Sequence, residues 1–272
     1  MLLGETLLVD RGSVQLFGKR FQGGQPIVIL LHAGVTDQRS WQEVVSAIGE
    51  RATVICYDRR GYGETPPSPE EFSHVKDLFA VLDEITDTPV WLVGSSAGGG
   101  IALDVAVLAP ERVAGLVLFA PSVSGGPDPE LDGDTARLVE QLEETISVGD
   151  LDEQNRLEAW LWLDGPTQGE GRVGGPVREL FFDMNRVILS HGVPEGTGAS
   201  GIDAWGQLEQ VMAPTLVACG ALDIPFIVET SHSLAERLPN GYHRLLSGMA
   251  HLPQLEDPTV VAELIVHAIG AN

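Results

Sequence analysis

Short hydrophobic runs alternate with longer stretches of helical periodicity along most of this chain of 272 residues. Most of the runs are apolar at both odd and even positions, which is typical of strands buried on both faces of a parallel sheet. Two more polar strands come first, and a weaker run comes near the end. The predicted strands cover residues 6–9, 14–19, 27–31, 53–57, 90–93, 115–119, 215–219 and 243–246.

The stretches between these runs repeat their hydrophobic residues with the period of an α-helix. An alternation of strand and helix predicts an α/β protein with a mostly parallel central sheet flanked by helices. The predicted helices cover residues 41–48, 70–85, 96–108, 228–238 and 258–269.

The alternation stops between about residues 125 and 205. This segment has helical periodicity at 135–146, 153–162 and 177–189, and Gly- and Pro-rich loops separate the three stretches. We predict a helical cap at residues 125–205, inserted between two core strands. The core domain then consists of residues 1–124 and 206–272.

The strongest chemical signal is V-G-S-S-A-G-G-G at residues 93–100, which contains the pattern G-x-S-x-G centred on Ser96. A predicted buried strand precedes it and an Ala/Leu-rich helix follows it. In such a sharp turn, side chains at Gly94 and Gly98 would collide with neighbouring backbone. The turn exposes the serine hydroxyl at a helix N-terminus, where unpaired N–H groups favour developing negative charge. We predict that Ser96 is a catalytic nucleophile.

A serine nucleophile needs a general base, and the base needs an acid that orients it. Of the seven histidines, His251 has the most suitable context, a loop between the last predicted strand and the terminal helix. Asp223 follows the predicted strand at 215–219 and precedes His251 by 28 residues, which leaves room for one helix and one strand. Catalytic groups gather at the carboxyl ends of parallel strands. We therefore predict a triad of Ser96, Asp223 and His251.

Acyl transfer also requires hydrogen-bond donors for a developing oxyanion. One predicted donor is the backbone N–H of Ala97, the residue after the nucleophile. The second donor is predicted in the loop after the strand at 27–31, at Gly34, with Val35 as the alternative. His32 is predicted to brace this loop by hydrogen bonds rather than to transfer protons.

Five segments, in this order along the chain, resemble those of the α/β-hydrolase superfamily. The resemblance covers nearly the whole chain and implies the fold and hydrolase chemistry. Ala33 stands where the family usually has Gly, and Thr65 stands where it usually has Ser. The segments are H-A-G-V-T-D-Q-R-S-W at 32–41, Y-D-R-R-G-Y-G-E-T at 57–65, G-S-S-A-G at 94–98, P-T-L-V-A-C-G-A-L-D at 214–223 and G-M-A-H-L-P-Q-L-E-D-P at 248–258.

The first and last of these segments are most similar to the branch that contains 3-oxoadipate enol-lactonases, small-ester hydrolases and cofactor-free perhydrolases. A serine at position 96 argues against haloalkane dehalogenases and epoxide hydrolases, which use this fold with an aspartate nucleophile. The resemblance implies a structural role for Asp58, Arg59 and Arg60, which brace a Gly-rich turn.

The predicted cap is rich in large apolar residues, and we predict four of them as substrate-pocket residues: Trp160, Trp162, Phe181 and Phe182. A cap roofs an active site and supplies its pocket, although large residues at helical spacing more often serve packing. We expect packing for at least half of them. The cap also carries arginines, and an inward-facing one would suit a substrate carboxylate: Arg137, Arg156, Arg172, Arg178 and Arg186.

The chain is strongly acidic, with 39 Asp and Glu against 16 Lys and Arg and a net charge of −23. Such a surface repels phosphate backbones and anionic lipids, so no nucleic-acid or membrane partner is expected. Cys56 and Cys219 lie in predicted strands and are expected to be buried thiols, with no disulfide framework and no metal site. The sequence shows neither a signal peptide nor a membrane-spanning run. We expect a cytoplasmic protein without a cofactor, and a homodimer remains open.

These features predict a serine hydrolase that cleaves a small to medium carboxylic ester or lactone through an acyl-enzyme intermediate. Two alternatives use the same triad: carbon–carbon bond hydrolysis of a vinylogous diketone, and perhydrolysis. A third belongs to another class of protein, a ligand receptor that keeps the triad but turns over slowly.

Overall fold

The computed structural model describes residues 4–68, 70–131, 133–191 and 201–270. Within these residues it has eight strands: β1 (Glu5–Asp10), β2 (Gln15–Phe21), β3 (Ile27–Leu31), β4 (Thr53–Tyr57), β5 (Val90–Ser95), β6 (Val113–Phe119), β7 (Thr215–Gly220) and β8 (Gly241–Leu246). They form one sheet in the order β1-β2-β4-β3-β5-β6-β7-β8. β2 pairs antiparallel with both β1 and β4, and all other pairs are parallel.

The described residues also form nine α-helices: α1 (Gln42–Ile48), α2 (His74–Ile85), α3 (Ala97–Leu108), α4 (Gly133–Val148), α5 (Leu151–Glu158), α6 (Gly175–His191), α7 (Pro225–Arg237), α8 (Pro253–Glu256) and α9 (Pro258–Gly270). α2, α3 and α7 cover one face of the sheet, and α1 and α9 cover the other. The predicted α/β architecture, a mostly parallel sheet flanked by helices, is confirmed.

The central strand β3 shows why the sheet is buried on both faces. Ile29 and Leu31 pack into the core shared with α2 and α3, whereas Val28 and Leu30 pack into the core shared with α1 and α9. All five residues of β3 are buried. Each such side chain contributes about 1.5–3 kcal/mol through burial, which fixes the strand at the centre of the sheet.

Several elements differ in extent from the sequence prediction; α2, for example, begins at His74, four residues after the predicted start at 70. The weak run at 243–246 is the end of β8, an edge strand whose residues are largely exposed, and the missing outer neighbour explains its polar pattern. α7 begins at Pro225, three residues before the predicted start at 228. Proline suits the first turn of a helix, where its missing N–H has no intrahelical partner.

Three helices, α4 to α6, lie between β6 and β7 and form the cap. A π-helical turn, Ala159–Asp164, connects directly to the end of α5. Leu163 and Phe181 of the cap pack against Leu252 of the core, and Leu161 packs near Ile224. The boundaries at 125 and 205 remain a prediction. No helix among the described residues is both long and apolar enough to cross a membrane.

Candidate active site

Ser96 stands at the turn between β5 and α3. Its φ angle is 52°, a left-handed conformation that non-glycine residues rarely adopt and that costs about 1–3 kcal/mol. A Cβ at Gly94 would collide with the backbone of Gly98, and one at Gly98 would collide with the backbone of Leu31. Close packing of the backbone therefore requires glycine at both positions, as the sequence predicts. The tight turn that results holds Ser96 at the carboxyl edge of the sheet.

His251 and Asp223 form a buried pair at the same edge of the sheet. His251 Nδ1 lies 2.8 Å from Asp223 Oδ2, and the two residues are only 3% and 4% exposed. Asp223 Oδ1 accepts a hydrogen bond of 2.7 Å from the backbone N–H of Ile224, which fixes the carboxylate. Because Asp223 Oδ2 accepts a hydrogen bond from Nδ1, a neutral His251 ring carries its proton on Nδ1. Nε2 is therefore the nitrogen that is available as a base.

Ser96 and His251 line the same cavity, of about 470 Å³, which we call the Ser96 cavity. Within the described residues, no hydrogen bond joins the Ser96 hydroxyl to the His251 ring. Hydrogen bonds between nucleophile and base are often long without substrate and tighten when it binds. The structure thus brings the three predicted catalytic residues to one place, with the His–Asp contact formed.

The walls of the Ser96 cavity are mostly apolar, and none of the described residues that line it is an Asp, Glu, Lys or Arg. Such a surface suits an uncharged group, because burying an unpaired charge against it is costly. The wall combines the cap, the loop after β6 and the first turns of α7. Its larger apolar residues are Leu131, Leu142, Leu161, Trp162, Ile224, Phe226 and Ile227.

Trp162 is the predicted pocket residue that lines the cavity. Its ring centroid lies 4.6 Å from that of His251, with the planes tilted by 46°. The π-helical turn of the cap carries this side chain, and π-turns are frequent at functional sites. Trp162 therefore brings the cap into contact with the histidine.

The other three predicted pocket residues do not line the Ser96 cavity, and the pocket prediction is corrected for them. Trp160 donates its Nε1 hydrogen to the carbonyl of Gln168 at 2.9 Å. Phe181 is fully buried between cap and core, and Phe182 lies under the guanidinium of Arg178 at 5.3 Å. Contacts within the cap, or between cap and core for Phe181, occupy all three side chains away from this cavity.

No cap arginine lines the Ser96 cavity, so the structure offers no cap arginine there for a substrate carboxylate. Each is paired with an acidic residue instead. Arg156 binds Glu153 and Glu170, Arg172 binds Glu256 and Arg178 binds Asp164. The exposed Arg137 and Arg186 contact Asp134 and Asp152 respectively.

The predicted oxyanion donors lie at the start of α3 and in the loop after β3, two segments brought together where Gly98 packs against the backbone of Leu31 and His32. Ala97 is the first residue of α3 and is partly exposed. Gly34 and Val35 follow β3 and are also partly exposed, but neither is among the residues lining the cavity. A Cβ at Gly34 would meet no atom within 4 Å. Protein packing therefore does not require glycine at this position.

His32 has the bracing role that the sequence predicts. The ring is fully buried, its Nδ1 donates to the Ala33 carbonyl at 2.8 Å, and its Nε2 accepts from the Arg59 backbone at 3.1 Å. Burial, and then the charge of Arg59, hold the pKa of His32 well below its usual value. A neutral ring with both nitrogens engaged fixes the loop that carries Gly34.

The acidic and basic residues after β4 also serve the scaffold. Asp58 accepts hydrogen bonds of 2.9 Å from the backbone of Gln38 and of Glu64. Arg60 binds Asp77 through two hydrogen bonds, of 2.8 and 2.9 Å, inside the protein. These contacts tie the loops after β3 and β4 to α2.

Sequence reasoning missed several residues around the site. Ala120 lines the cavity directly after β6 with a φ of 45°, and Gln254 donates to Ser95 Oγ at 3.3 Å from the histidine loop. The position of Ala120 at the carboxyl end of a parallel strand was the available signal. For Gln254 the sequence held none, since its partner lies 159 positions away.

Both cysteines are buried and free. Burial raises the pKa of the Cys56 thiol to about 12, which makes it unreactive at neutral pH. Cys219 lies beneath the site, with Sγ 3.6 Å from Asp223 Oδ2. Among the described residues, no group of three His, Cys, Asp or Glu side chains is arranged to hold a metal ion.

A strained serine between a buried strand and a helix, beside a buried His–Asp pair at the edge of a parallel sheet, is the arrangement of hydrolases with an α/β sheet. A family model described as the alpha/beta hydrolase fold matches residues 26–258. The chain therefore belongs to the α/β-hydrolase family, and it is a hydrolase of that family.

Known relatives cover most of the chain at low identity. A Caulobacter segnis protein provisionally named carbamate hydrolase RutD is 27% identical over 257 residues, 88% of this chain and 90% of that protein. A pimeloyl-[acyl-carrier protein] methyl ester esterase of Vibrio campbellii is 26% identical over 254 residues, 89% and 93% of the two chains. A thermophilic esterase from Thermogutta terrifontis superposes with a TM-score of 0.79 at 20% identity, covering 98% of both chains. At this identity the structural likeness shows the fold.

Proposed function

We propose that this hydrolase cleaves a small to medium carboxylic ester or lactone through a covalent acyl-enzyme. Ser96 Oγ attacks the acyl carbon while His251 Nε2 accepts its proton. Asp223 stabilises the imidazolium that forms, through the 2.8 Å contact with Nδ1. The proton then passes to the departing alkoxide, which leaves as an alcohol or, in a lactone, stays attached to the acyl chain.

The second half of the cycle uses the same groups. His251 removes a proton from water, the water attacks the acyl carbon, and Ser96 Oγ recovers its proton as the acid departs. In both halves the negative oxygen accepts hydrogen bonds from the backbone N–H groups of Ala97 and of Gly34, with Val35 as the alternative second donor. Losing one such donor typically costs about 10²–10³-fold in turnover.

The observation that carries the proposal is one cavity lined by both Ser96 and His251, with the histidine already held by Asp223. Its uncharged lining favours an apolar acyl group. The relatives add support: the Vibrio campbellii protein is named as a methyl ester esterase, and the Caulobacter segnis protein is named as a carbamate hydrolase. Both names describe acyl transfer to water.

Other expectations from the sequence remain untested predictions and belong to this proposal. We propose a small-molecule substrate, no cofactor, no nucleic-acid or membrane partner, and a cytoplasmic location. Assembly into a homodimer stays open.

The test is hydrolysis of p-nitrophenyl esters from acetate to dodecanoate by the wild type and Ser96→Ala, together with labelling by an organophosphonate. We expect wild-type turnover, a loss of about 10³-fold or more in Ser96→Ala, and label on Ser96 alone. Ser95→Ala is the matched control and should keep both activity and label.

Three results would contradict the proposal in different ways. A folded wild type that neither hydrolyses esters or lactones nor takes up the label would exclude a serine hydrolase. Labelling without turnover of esters or lactones would favour carbon–carbon or perhydrolase chemistry, which diketone or peroxide substrates would reveal. A ligand that stabilises the fold and is released unchanged would favour a receptor.

A further inference from the structure

The Ser96 cavity adjoins a second space, which we call the outer cleft. The outer cleft has a volume of about 540 Å³ and lies between residues 127–131 and the first turns of α7. Four residues line both spaces: Pro127, Leu131, Phe226 and Thr230. Residues that face two neighbouring spaces stand between them, so these four form a partition.

The start of α7 explains how the partition is built. Phe226 and Thr230 are four positions apart, so they lie on one face of the helix. Ile227 lines only the Ser96 cavity and Glu229 lines only the outer cleft. α7 therefore presents a different flank to each space, with Phe226, the bulkiest side chain of the partition, at the boundary.

We propose that Phe226 determines substrate specificity: its ring, with Leu131, closes the side of the Ser96 cavity that faces the outer cleft and limits the length of the acyl chain. This inference rests on the proposed function, because it takes the cavity to hold the acyl group of an ester bound at Ser96. Each methylene that enters an apolar cavity improves binding by about fourfold. The gain ends where the chain meets the Phe226 ring.

The two spaces differ in charge, which extends the inference to the chemical class of the acyl group. Of the residues that the structure describes, no Asp, Glu, Lys or Arg lines the Ser96 cavity, whereas Asp128, Glu130 and Glu229 line the outer cleft without a described Lys or Arg beside them. A chain end that passes the partition emerges beside these carboxylates. A neutral chain end is tolerated there and a terminal carboxylate is repelled. In the wild type the chain stops at Phe226, so the uncharged lining of the Ser96 cavity and the Phe226 limit together define an acyl group that is uncharged and short to medium in length.

The test is the chain-length profile of kcat/KM, measured on the p-nitrophenyl ester series for the wild type, Phe226→Ala and Phe226→Trp. Phe226→Ala should raise the ratio of long-chain to short-chain kcat/KM by about tenfold, and Phe226→Trp should lower it. Phe79→Ala is the control, because Phe79 is a half-buried residue of α2 that lines neither space. An unchanged profile in both folded Phe226 variants overturns the inference.

Binding separates this inference from the proposed function. Calorimetric titration of Ser96→Ala with primary alkyl amides of rising length should show a length limit, and adding Phe226→Ala should move it to longer chains. If no ester is hydrolysed but this limit moves, the partition stands and the proposed function fails. If esters are hydrolysed but Phe226→Ala changes neither the chain-length profile of kcat/KM nor the length limit of amide binding, the partition fails and the proposed function stands.

Charge provides a second reading of the same variants. Mono-p-nitrophenyl esters of dicarboxylic acids match the long-chain esters in length but end in a carboxylate. The increase in kcat/KM that Phe226→Ala produces should be at least about tenfold smaller for these esters than for neutral esters of equal length. A concentration of 1 M salt should reduce this difference, because it screens the repulsion between carboxylates. Equal gains on both series would overturn the charge part of the inference.

Discussion

The loops of the core around the site and the cap above it are held by different kinds of interaction. In the core, the ion pair of Arg60 and Asp77 has side chains that are only 5% and 2% exposed. Between core and cap, the ion pair of Arg39 and Asp183 spans 2.5 Å with side chains 38% and 62% exposed. The core loops depend on buried polar contacts. The cap has a second ion pair with the core, Arg172–Glu256, whose side chains are 23% and 5% exposed, so of these two pairs only Arg39–Asp183 lies largely in water.

Apolar packing makes the main attachment of the cap. Phe181 and Met184 of α6 are fully buried against core residues that include Ala33 and Leu252. Apolar packing tolerates changes of shape when total volume is kept, whereas a buried polar network fails when one member is lost. The comparison teaches that the three residues proposed as the triad lie on the part of the molecule held by buried polar contacts, whereas the cap that completes the cavity is held mainly by apolar packing.

The largest expected effect tests the core side of the comparison at Asp223. Asp223→Asn should lower kcat/KM by about 10³–10⁴-fold, because an amide no longer stabilises the imidazolium or its correct tautomer. Steady-state kinetics on the best ester measures it. Asp87→Asn, at an exposed turn, is the matched control and should change little. A loss below about tenfold in Asp223→Asn would remove Asp223 from the triad.

The second effect concerns stability rather than chemistry. Asp77 accepts hydrogen bonds from both Arg60 and Arg11, at 2.8–2.9 Å. Asp77→Asn leaves the buried Arg60 without a counter-ion, so the free energy of unfolding should fall by about 3–5 kcal/mol. Denaturant unfolding followed by circular dichroism measures it. A fall in the free energy of unfolding of less than about 1 kcal/mol would show that the buried ion pair of the core matters no more to stability than the exposed pair between core and cap.

The third prediction uses the pH dependence of the core network. Burial, and then the charge of Asp37, raise the pKa of Asp58 from 3.8 to about 6. Between about pH 4 and pH 6 the folded protein holds a proton that the unfolded chain has released, so this contribution to stability is lost as the pH rises through that window. It amounts to up to about 3 kcal/mol.

Asp58→Asn removes this titration and isolates it from the other carboxylates. The free energy of unfolding of the wild type minus that of the variant should fall as the pH rises from about 4 to about 6, and stay level above that. Denaturant midpoints at five pH values measure it. A difference that is constant across the window would show that Asp58 titrates normally in the folded protein.

The smallest expected effect lies on the cap side. Asp183→Asn breaks the exposed contact with Arg39 and should change the free energy of unfolding by less than about 1 kcal/mol, because water screens this pair. It is the matched partner of Asp77→Asn, with the same substitution at an ion pair. A loss of 3 kcal/mol or more here would show that the cap depends on charge as the core does.

The sequence by itself determined the sheet, most of its helices and the three residues proposed as the triad. Buried parallel strands have hydrophobic residues at both odd and even positions, as β3 does. This pattern lies within a few consecutive residues, so it can be recognised without knowledge of the fold. The turn at Ser96 requires glycines at fixed offsets, because their neighbours leave no room for a Cβ. Asp223 and His251 lie in loops after strands, and the loops after parallel strands meet at one edge of the sheet.

Only the tertiary structure decided which large residues of the cap meet the Ser96 cavity. Helical periodicity identifies a buried face, but it does not distinguish a face that meets another helix from one that meets a cavity. Trp160 and Trp162 are two residues apart, yet only Trp162 lines the Ser96 cavity, because the π-helical turn sets their directions. Phe226 stands between two spaces for a similar reason, since the loop at 127–131 and α7 meet only when the chain is folded.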